Sequence, residues 1–274
     1  MSVAILEFIN QLPSRNIHAF QKAMDAVTEH YYHYHEPTSA HPSVELFLKH
    51  FYPYVLDRLV QNELQDTIDD FVDDLYSHQN RKQLRNLSRS RARNSASLNT
   101  YVNTLFKQHA KLLVIRVDLH YNTQATPETA LADRERYLRA VKRRFEHLLG
   151  YIWKLEYGAS RGFHYHMCFL FNGAKRQGDR VLGQLLGEQW VALTEDGSYH
   201  NCNARRDKYQ SYNRDGLGNI PYSDLARRDN LLFALDYLTK HDEAVLAELP
   251  ERYRTFGKME LPEWSVVAGR PRHY

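Results

Sequence analysis

The sequence predicts an α+β protein: an antiparallel sheet with helices on one face, preceded by an α-helical N-terminal region. Three observations predict it. From residue 111 onward, apolar residues alternate between period-two and helix-like spacing, in the order strand, helix, strand, strand, helix, weak strand, helix, strand. The two central strands, within Trp153 to Phe171, are joined by a turn carrying Gly158, Ser160 and Gly162, which marks a hairpin and so an antiparallel pair. Residues 1–78 show only helix-like spacing.

Charge divides the chain further. Residues 1–80 contain four Lys/Arg and twelve Asp/Glu, whereas the other 194 residues hold 32 basic and 21 acidic groups. Between Arg81 and Val117 there are nine Lys/Arg and no acid. This split predicts an acidic helical region (1–80), a basic linker or arm (81–105) and a body (106–274) that meets polyanions. Two cysteines, Cys168 and Cys202, exclude a disulfide framework and a zinc quartet and fit a reducing compartment. The N-terminus lacks the basic head and apolar run of a signal peptide, and no stretch approaches the roughly 20 apolar residues of a membrane span. A soluble, cytoplasmic protein is expected.

In order along the chain, Ser43 to Tyr76 places Leu46, Phe47, Phe51, Leu56 and Leu59 at helical intervals, interrupted at Pro53. The acidic run Asp66, Asp69, Asp70, Asp73 and Asp74 is read first as a solvated helix face, with a DNA mimic or partner surface as the functional alternative. Histidines between His30 and His41 match no closed metal site. Arg81 to Ser97 is Arg/Ser-rich with little apolar surface, the composition of a hinge or a phosphate-binding arm. Leu112 to Tyr121 is the first strand of the body, with Arg116, Asp118 and His120 on a polar face. Thr126 and Pro127 are the N-cap and first residue of a helix striped by Leu131, Leu138, Val141, Phe145 and Leu148. After the hairpin, Asp179 opens a helix with Leu182, Leu185, Leu186, Trp190 and Leu193 inward. Residues 195–222 interleave Arg205, Arg206, Lys208 and Arg214 with Tyr199, Tyr209 and Tyr212, which suits single-stranded nucleic acid or a disordered loop, with a short strand near Ile220 to Tyr222. Asn230 to His241 is a helix in which Tyr237 and Lys240 share a face. Thr255 to Leu261 closes the sheet, and Arg270 to Tyr274 forms a basic tail.

The chemistry concentrates in the hairpin. Strand alternation puts His164, His166 and Cys168 on one face, and Lys154 and Glu156 share a face of the preceding strand. Two imidazoles and a carboxylate brought across a hairpin form a site that can hold one cation with open positions. Asp118 or His120 on the neighbouring strand are alternative third ligands. His33-Tyr34-His35 repeats the tripeptide but is followed by Glu36-Pro37 without an alternating apolar run, and is set aside as solvated histidines at a helix end.

His164-Tyr165-His166 followed downstream by Tyr237-Leu-Thr-Lys240 resembles the HUH endonuclease superfamily, whose members include rolling-circle replication initiators, relaxases and single-strand transposases. The segment from Leu155 through the hairpin to Phe171 is similar to inovirus-type replication proteins and to the YagK/YfjJ C-terminal family of prophages. The resemblance covers about residues 110–262 and implies an HUH palm like that of RNA-recognition domains. It implies one divalent ion, Mg²⁺ or Mn²⁺, held by His164, His166 and Glu156; nitrogen-rich ligation favours Mn²⁺. It implies Tyr237 as nucleophile, leaving a 5′-phosphotyrosine and a free 3′-OH. A phenol of pKa about 10 is a weak nucleophile at neutral pH, so Lys240 is expected to favour its deprotonated form or to hold the phosphate. The expected DNA-binding cations are Arg116, Lys154, Arg161, Arg205, Arg206 and, in the arm, Arg89, Arg91 and Arg93.

The function expected on this resemblance is site-specific nicking and rejoining of single-stranded DNA at a replication origin of a phage, satellite or prophage element. Host helicase and polymerase would then be partners in a bacterial cytoplasm. Some relatives carry two tyrosines on the nucleophile helix, whereas the position four before Tyr237 is Phe233, so a second cleavage needs another subunit or nucleophile. The alternatives are a transposase or relaxase with the same chemistry, and a DNA-binding regulator without activity.

Overall fold

The computed structural model describes residues 2–11, 20, 22–27, 41–57, 64–158, 161–206, 214–240, 243–249 and 253–261. His33, His35, Lys208, Tyr209, Tyr212 and the tail from Arg270 lie outside them. The described residues fall into two compact units, one drawn from 1–90, 157–159 and 241–254, the other from 91–156, 160–240 and 255–274.

The first unit is helical. It contains α1 (Ser2–Gln11), α2 (Pro42–Asp57), α3 (Leu64–Leu75) and, late in the chain, α8 (Glu243–Glu248), and residues 22–27 are also helical. Ile5, Phe8, Val27, Phe47, Phe51 and Phe71 form its core. Phe71 meets Phe47 and Phe51 edge to face, with Phe51 and Phe71 centroids 5.4 Å apart. α2 continues through Pro53 instead of breaking there. The anchor that Phe47 and Phe51 provide on one face outweighs the hydrogen bond that proline removes. On α3, Phe71 and Leu75 point inward, and Asp66, Asp69, Asp70 and Asp73 are exposed. The acidic run is therefore a solvent-facing stripe.

The stretch 81–105, expected as a linker or arm, belongs to one helix, α4 (His78–Gln108). No side chain from Arg81 to Ser97 is buried, which matches the composition. But arginine, leucine and alanine are strong helix formers, and no glycine or proline occurs between Pro53 and Pro127 to stop the helix. Its last turns bury Leu98, Tyr101, Val102, Leu105 and Phe106 in the core of the second unit. The body therefore begins within the supposed arm.

The second unit is built on an antiparallel sheet of β1 (Lys111–Tyr121), β2 (Leu148–Gly158), β3 (Gly162–Asn172), β4 (Gly197–Asn201), β5 (Gly218–Pro221) and β6 (Phe256–Lys258). The strand order is β4-β1-β3-β2-β6, with β5 also paired to β1. β4 runs along the C-terminal half of β1 and β5 along its N-terminal half. The stretch 195–222 thus contributes two strands at its ends, and β5 confirms the short strand expected near Ile220. Helices α5 (Pro127–Arg144) and α6 (Asp179–Leu193) join the strands, and α7 (Leu225–Leu238) follows β5. Thr126 caps α5, its hydroxyl accepting from the Thr129 amide.

As expected, one sheet face is covered by helices: Tyr137 of α5 and Trp190 of α6 pack against each other, and Tyr137 against Phe169 of β3. The structure adds α4 and α7 on part of the other face, where Leu112, Val114, Cys168 and Leu170 meet Leu105, Leu231 and Leu235. The remainder of that face carries Arg116, Asp118, His164, His166, Lys154 and Glu156. Among the described residues, no helix is long and apolar enough to cross a membrane.

Candidate metal centre

The register of β1 and β3 puts Asp118 directly opposite His166 and Arg116 opposite Cys168. Alternation then sets His164 and His166 on the same side, next to Glu156 of β2. One ligand atom from each of Glu156, His164 and His166 can be chosen so that all lie within 4.8 Å of one another. The Nε2 atoms of both histidines converge on Glu156 Oε2, at 3.5 Å from His164 and 2.9 Å from His166.

The opposite ring nitrogens are anchored. His164 Nδ1 lies 3.1 Å from the Gly162 carbonyl, and Gly162 starts the strand with a positive φ of 64° that favours glycine. His166 Nδ1 lies 2.7 Å from Asp118 Oδ1. The Arg116 guanidinium approaches the same Nδ1 to 3.1 Å and donates to Asp118 from Nε at 3.0 Å. A guanidinium only donates, so it competes with the carboxylate for Nδ1. The shorter contact and the opposite charge favour Nδ1–H donating to Asp118. Both Nε2 atoms then face the cluster, with the ring orientation that metal-ligating histidines take from acceptors behind them.

Electrostatics fit this arrangement. Burial disfavours the Glu156 and Asp118 charges, but hydrogen bonds from His164, His166 and Lys154 to the first, and from His166 with the Arg116 charge to the second, hold both carboxyls far below their usual range. Burial also opposes a charged His166, and its bonds to Asp118 and Glu156 outweigh that and raise its pKa. His120 stacks on His164 at 5.5 Å, and burial followed by the His164 charge lowers its pKa. Burial pushes the Cys168 thiol up to about 12, so it stays protonated.

The residues suit a divalent cation. Glu156 Oε1 is buried and lies 2.6 Å from Lys154 Nζ, its ion-pair partner, while Oε2 faces the two imidazole nitrogens. Two imidazoles and a carboxylate are a donor set that could hold a metal ion.

Tyr237 lies on the same side. Its ring is 5.2 Å from Lys154 Nζ and 5.1 Å from Lys240 Nζ, and it is 48% exposed. The helix ends at Leu238, earlier than the sequence suggested, so Lys240 reaches the ring from the turn beyond it, its amide bonded to the Tyr237 carbonyl. Asp236, beside Tyr237, accepts from Ser95 of α4.

The expected DNA-binding cations separate into two groups. Arg116 and Lys154 are enclosed in the cluster, Lys154 only 4% exposed and paired with Glu156. Arg206 is held by Asp215, with Asp179 farther off, and serves the fold as an ion pair. Each of these three is ion-paired with a half-buried carboxylate, Asp118, Glu156 and Asp215 respectively. Arg161, Arg205, Arg89, Arg91 and Arg93 are exposed. Arg161 lines a cleft of about 510 Å³ with His120, Tyr121, Asn122, Thr123 and Gln124. Sequence reasoning weighed Asp118 as a ligand and missed its place behind His166; only the strand register reveals it.

A family model described as the YagK/YfjJ C-terminal domain matches residues 73–258, which include Glu156, His164, His166, Tyr237 and Lys240. The chain is similar to the "Uncharacterized protein YagK" of Escherichia coli (strain K12), 29% identical over 182 residues, covering 55% of this chain and 86% of that protein. No solved structure matches.

Proposed function

The chain belongs to the YagK/YfjJ C-terminal domain family, and we propose that it is a metal-dependent DNA endonuclease of the HUH kind, cutting and rejoining single strands through Tyr237 to start rolling-circle replication of a mobile element. The observation that carries this reading is the chain of contacts on one sheet face: Tyr237 ring to Lys154 at 5.2 Å, and Lys154 to Glu156 at 2.6 Å, with Glu156 against both histidines. Through Lys154 the proposed nucleophile neighbours the proposed cation site.

His164, His166 and Glu156 would hold a divalent ion, Mn²⁺ or Mg²⁺, which when bound supplies Lewis-acid polarisation of the scissile phosphate. Tyr237 attacks phosphorus through its phenolic oxygen; the P–Oη bond forms as the bond to the 3′-oxygen breaks, and the phenol proton balances the departing 3′-alkoxide. Lys154 and Lys240, whose ammonium groups lie 5.2 and 5.1 Å from the ring centroid, stabilise the negative charge on the attacking oxygen. Asp118 keeps His166 oriented. The phosphotyrosine retains the bond energy for rejoining, and the 3′-OH can prime a polymerase.

The test uses end-labelled single-stranded oligonucleotides tiling the DNA around the coding gene, with Mn²⁺. A denaturation-resistant protein–DNA adduct is expected, absent with EDTA and in Tyr237→Phe and His164→Ala. An adduct that persists in Tyr237→Phe, or no adduct on any tile from protein that binds Mn²⁺, overturns the proposal. The latter outcome would leave a DNA-binding regulator.

A further inference from the structure

Helix α7 has two apolar sides. Leu231, Leu235 and Leu238 are buried in the sheet core, yet Phe233 is 61% exposed and Tyr237, one turn later on the same side, is 48% exposed. A helix that packs by one face ordinarily turns polar residues outward. Here the outward side carries two aromatic rings, each with a cation above it: the Arg214 guanidinium 4.0 Å from the Phe233 centroid, and Lys154 and Lys240 about Tyr237. Cation–π contact with Arg214 covers part of Phe233 and orients it, but most of the ring remains open.

We infer that Phe233, backed by Arg214, is a stacking platform for one base of the single-stranded DNA that Tyr237 cuts. Aromatic rings interleaved with cations are how proteins hold single strands without reading sequence: the rings take the bases and the cations take the phosphates. Tyr237 lies four helical positions after Phe233, a rise of about 6 Å, so a base on Phe233 belongs to a nucleotide adjacent to the phosphate at Tyr237. Phe233 cannot act as a second nucleophile, since it has no hydroxyl, and this assigns it a positioning role. The inference rests on the proposed endonuclease reading for its substrate, but it is read by binding alone.

The experiment measures binding of the full chain in EDTA, where no cleavage competes, to two fluorescent twelve-nucleotide strands: oligodeoxyadenylate and a strand of abasic tetrahydrofuran residues with the same phosphates. The expected result is that Phe233→Ala weakens binding of the base-bearing strand by about 5- to 100-fold and leaves the abasic strand unchanged, while Phe233→Trp restores the loss. Equal weakening on both strands, or none on either, overturns it; the first means that Phe233 only supports the fold. Base-dependent binding in a protein that forms no adduct with Mn²⁺ would sustain the platform and refute the nuclease, so the two failures are distinguishable.

Discussion

Replacing Asp118 by asparagine should weaken Mn²⁺ binding without removing a ligand. Asp118 Oδ1 stands 2.7 Å from His166 Nδ1 and 3.0 Å from Arg116 Nε, and Oδ2 lies 3.4 Å from Arg116 Nη2. An amide oxygen can keep the bond to Nδ1, but the negative charge that raises imidazole basicity is gone. The new NH₂ then faces either the guanidinium or the thiol of Cys202, 3.6 Å from Oδ2. Losses at residues that orient metal-ligating histidines are about 10- to 100-fold in affinity, or roughly 1.4 to 2.7 kcal/mol. Asp118→Asn belongs near the lower end and Asp118→Ala near the upper, because alanine also frees the ring to turn. Titration calorimetry of EDTA-stripped protein near neutral pH gives the dissociation constants, and circular dichroism checks the fold. His166→Ala is the reference and should abolish binding. An Asp118→Asn protein with wild-type affinity refutes the orienting role; one as defective as His166→Ala makes Asp118 a ligand and refutes it equally.

Further outcomes follow from charge and packing. Asp118 and Glu156 have depressed folded-state pKa values, so the stability they add is present above about pH 4 and lost as pH falls through the folded values; His166 is raised, so its share is present below about pH 6.5 and lost as pH rises through its folded value. Metal-free protein should therefore draw most from the cluster in that window, whereas the thermal shift given by Mn²⁺, which displaces the His166 proton, should grow from pH 5 to 8; a shift largest at pH 5 contradicts this. On α4, Arg85, Arg89 and Arg93 recur every fourth residue, exposed and on one side. Their replacement by alanine should preserve the helix and reduce the slope of log affinity against log salt for duplex DNA by roughly 2 to 3, as read by fluorescence anisotropy, and an unchanged slope removes the helix from the DNA path. Leu105→Ala should cost about 2–5 kcal/mol in urea unfolding, and a loss under 1 kcal/mol would mean that the end of α4 is not core.

Most of the body was legible because its strands and helices have strong, distinct periods. The polar side of β1, the His164/His166 face and the Thr126 cap are local signals, and each is where the sequence put it. The linker over 81–105 was misread because composition was weighed against packing rather than against helix propensity: the same residues that bury little also break nothing. The apolar spacing of Leu98, Val102 and Leu105 was the sign available within it. The ion pairs of Arg116, Lys154 and Arg206 were not legible, because a sequence shows a cation without its partner. Their carboxylates, Asp118, Glu156 and Asp215, lie two, two and nine residues away. Phe233 was noticed only as a missing tyrosine; its exposure and its guanidinium needed the tertiary structure.

One sheet face serves as both core and candidate site, and the change of character follows the register. Leu112 and Val114 stand opposite Asn172 and Leu170 in the half that α4 and α7 cover, Arg116 opposite Cys168 marks the change, and Asp118 opposite His166 lies in the polar half. α7 is fixed over the covered half by Leu231, Leu235 and Leu238, so its last turn ends at the border between the two. Tyr237 follows Leu231 by six residues, a rise of about 9 Å. Rotating its ring away from Lys154 would take only a one-residue insertion, which turns everything beyond it by about 100°. The ring's place beside Lys154 is therefore set by core packing on the same surface that holds the histidines, not by a loop. If Tyr237 is the proposed nucleophile, this anchoring is the rigidity it needs to meet one phosphate at one angle.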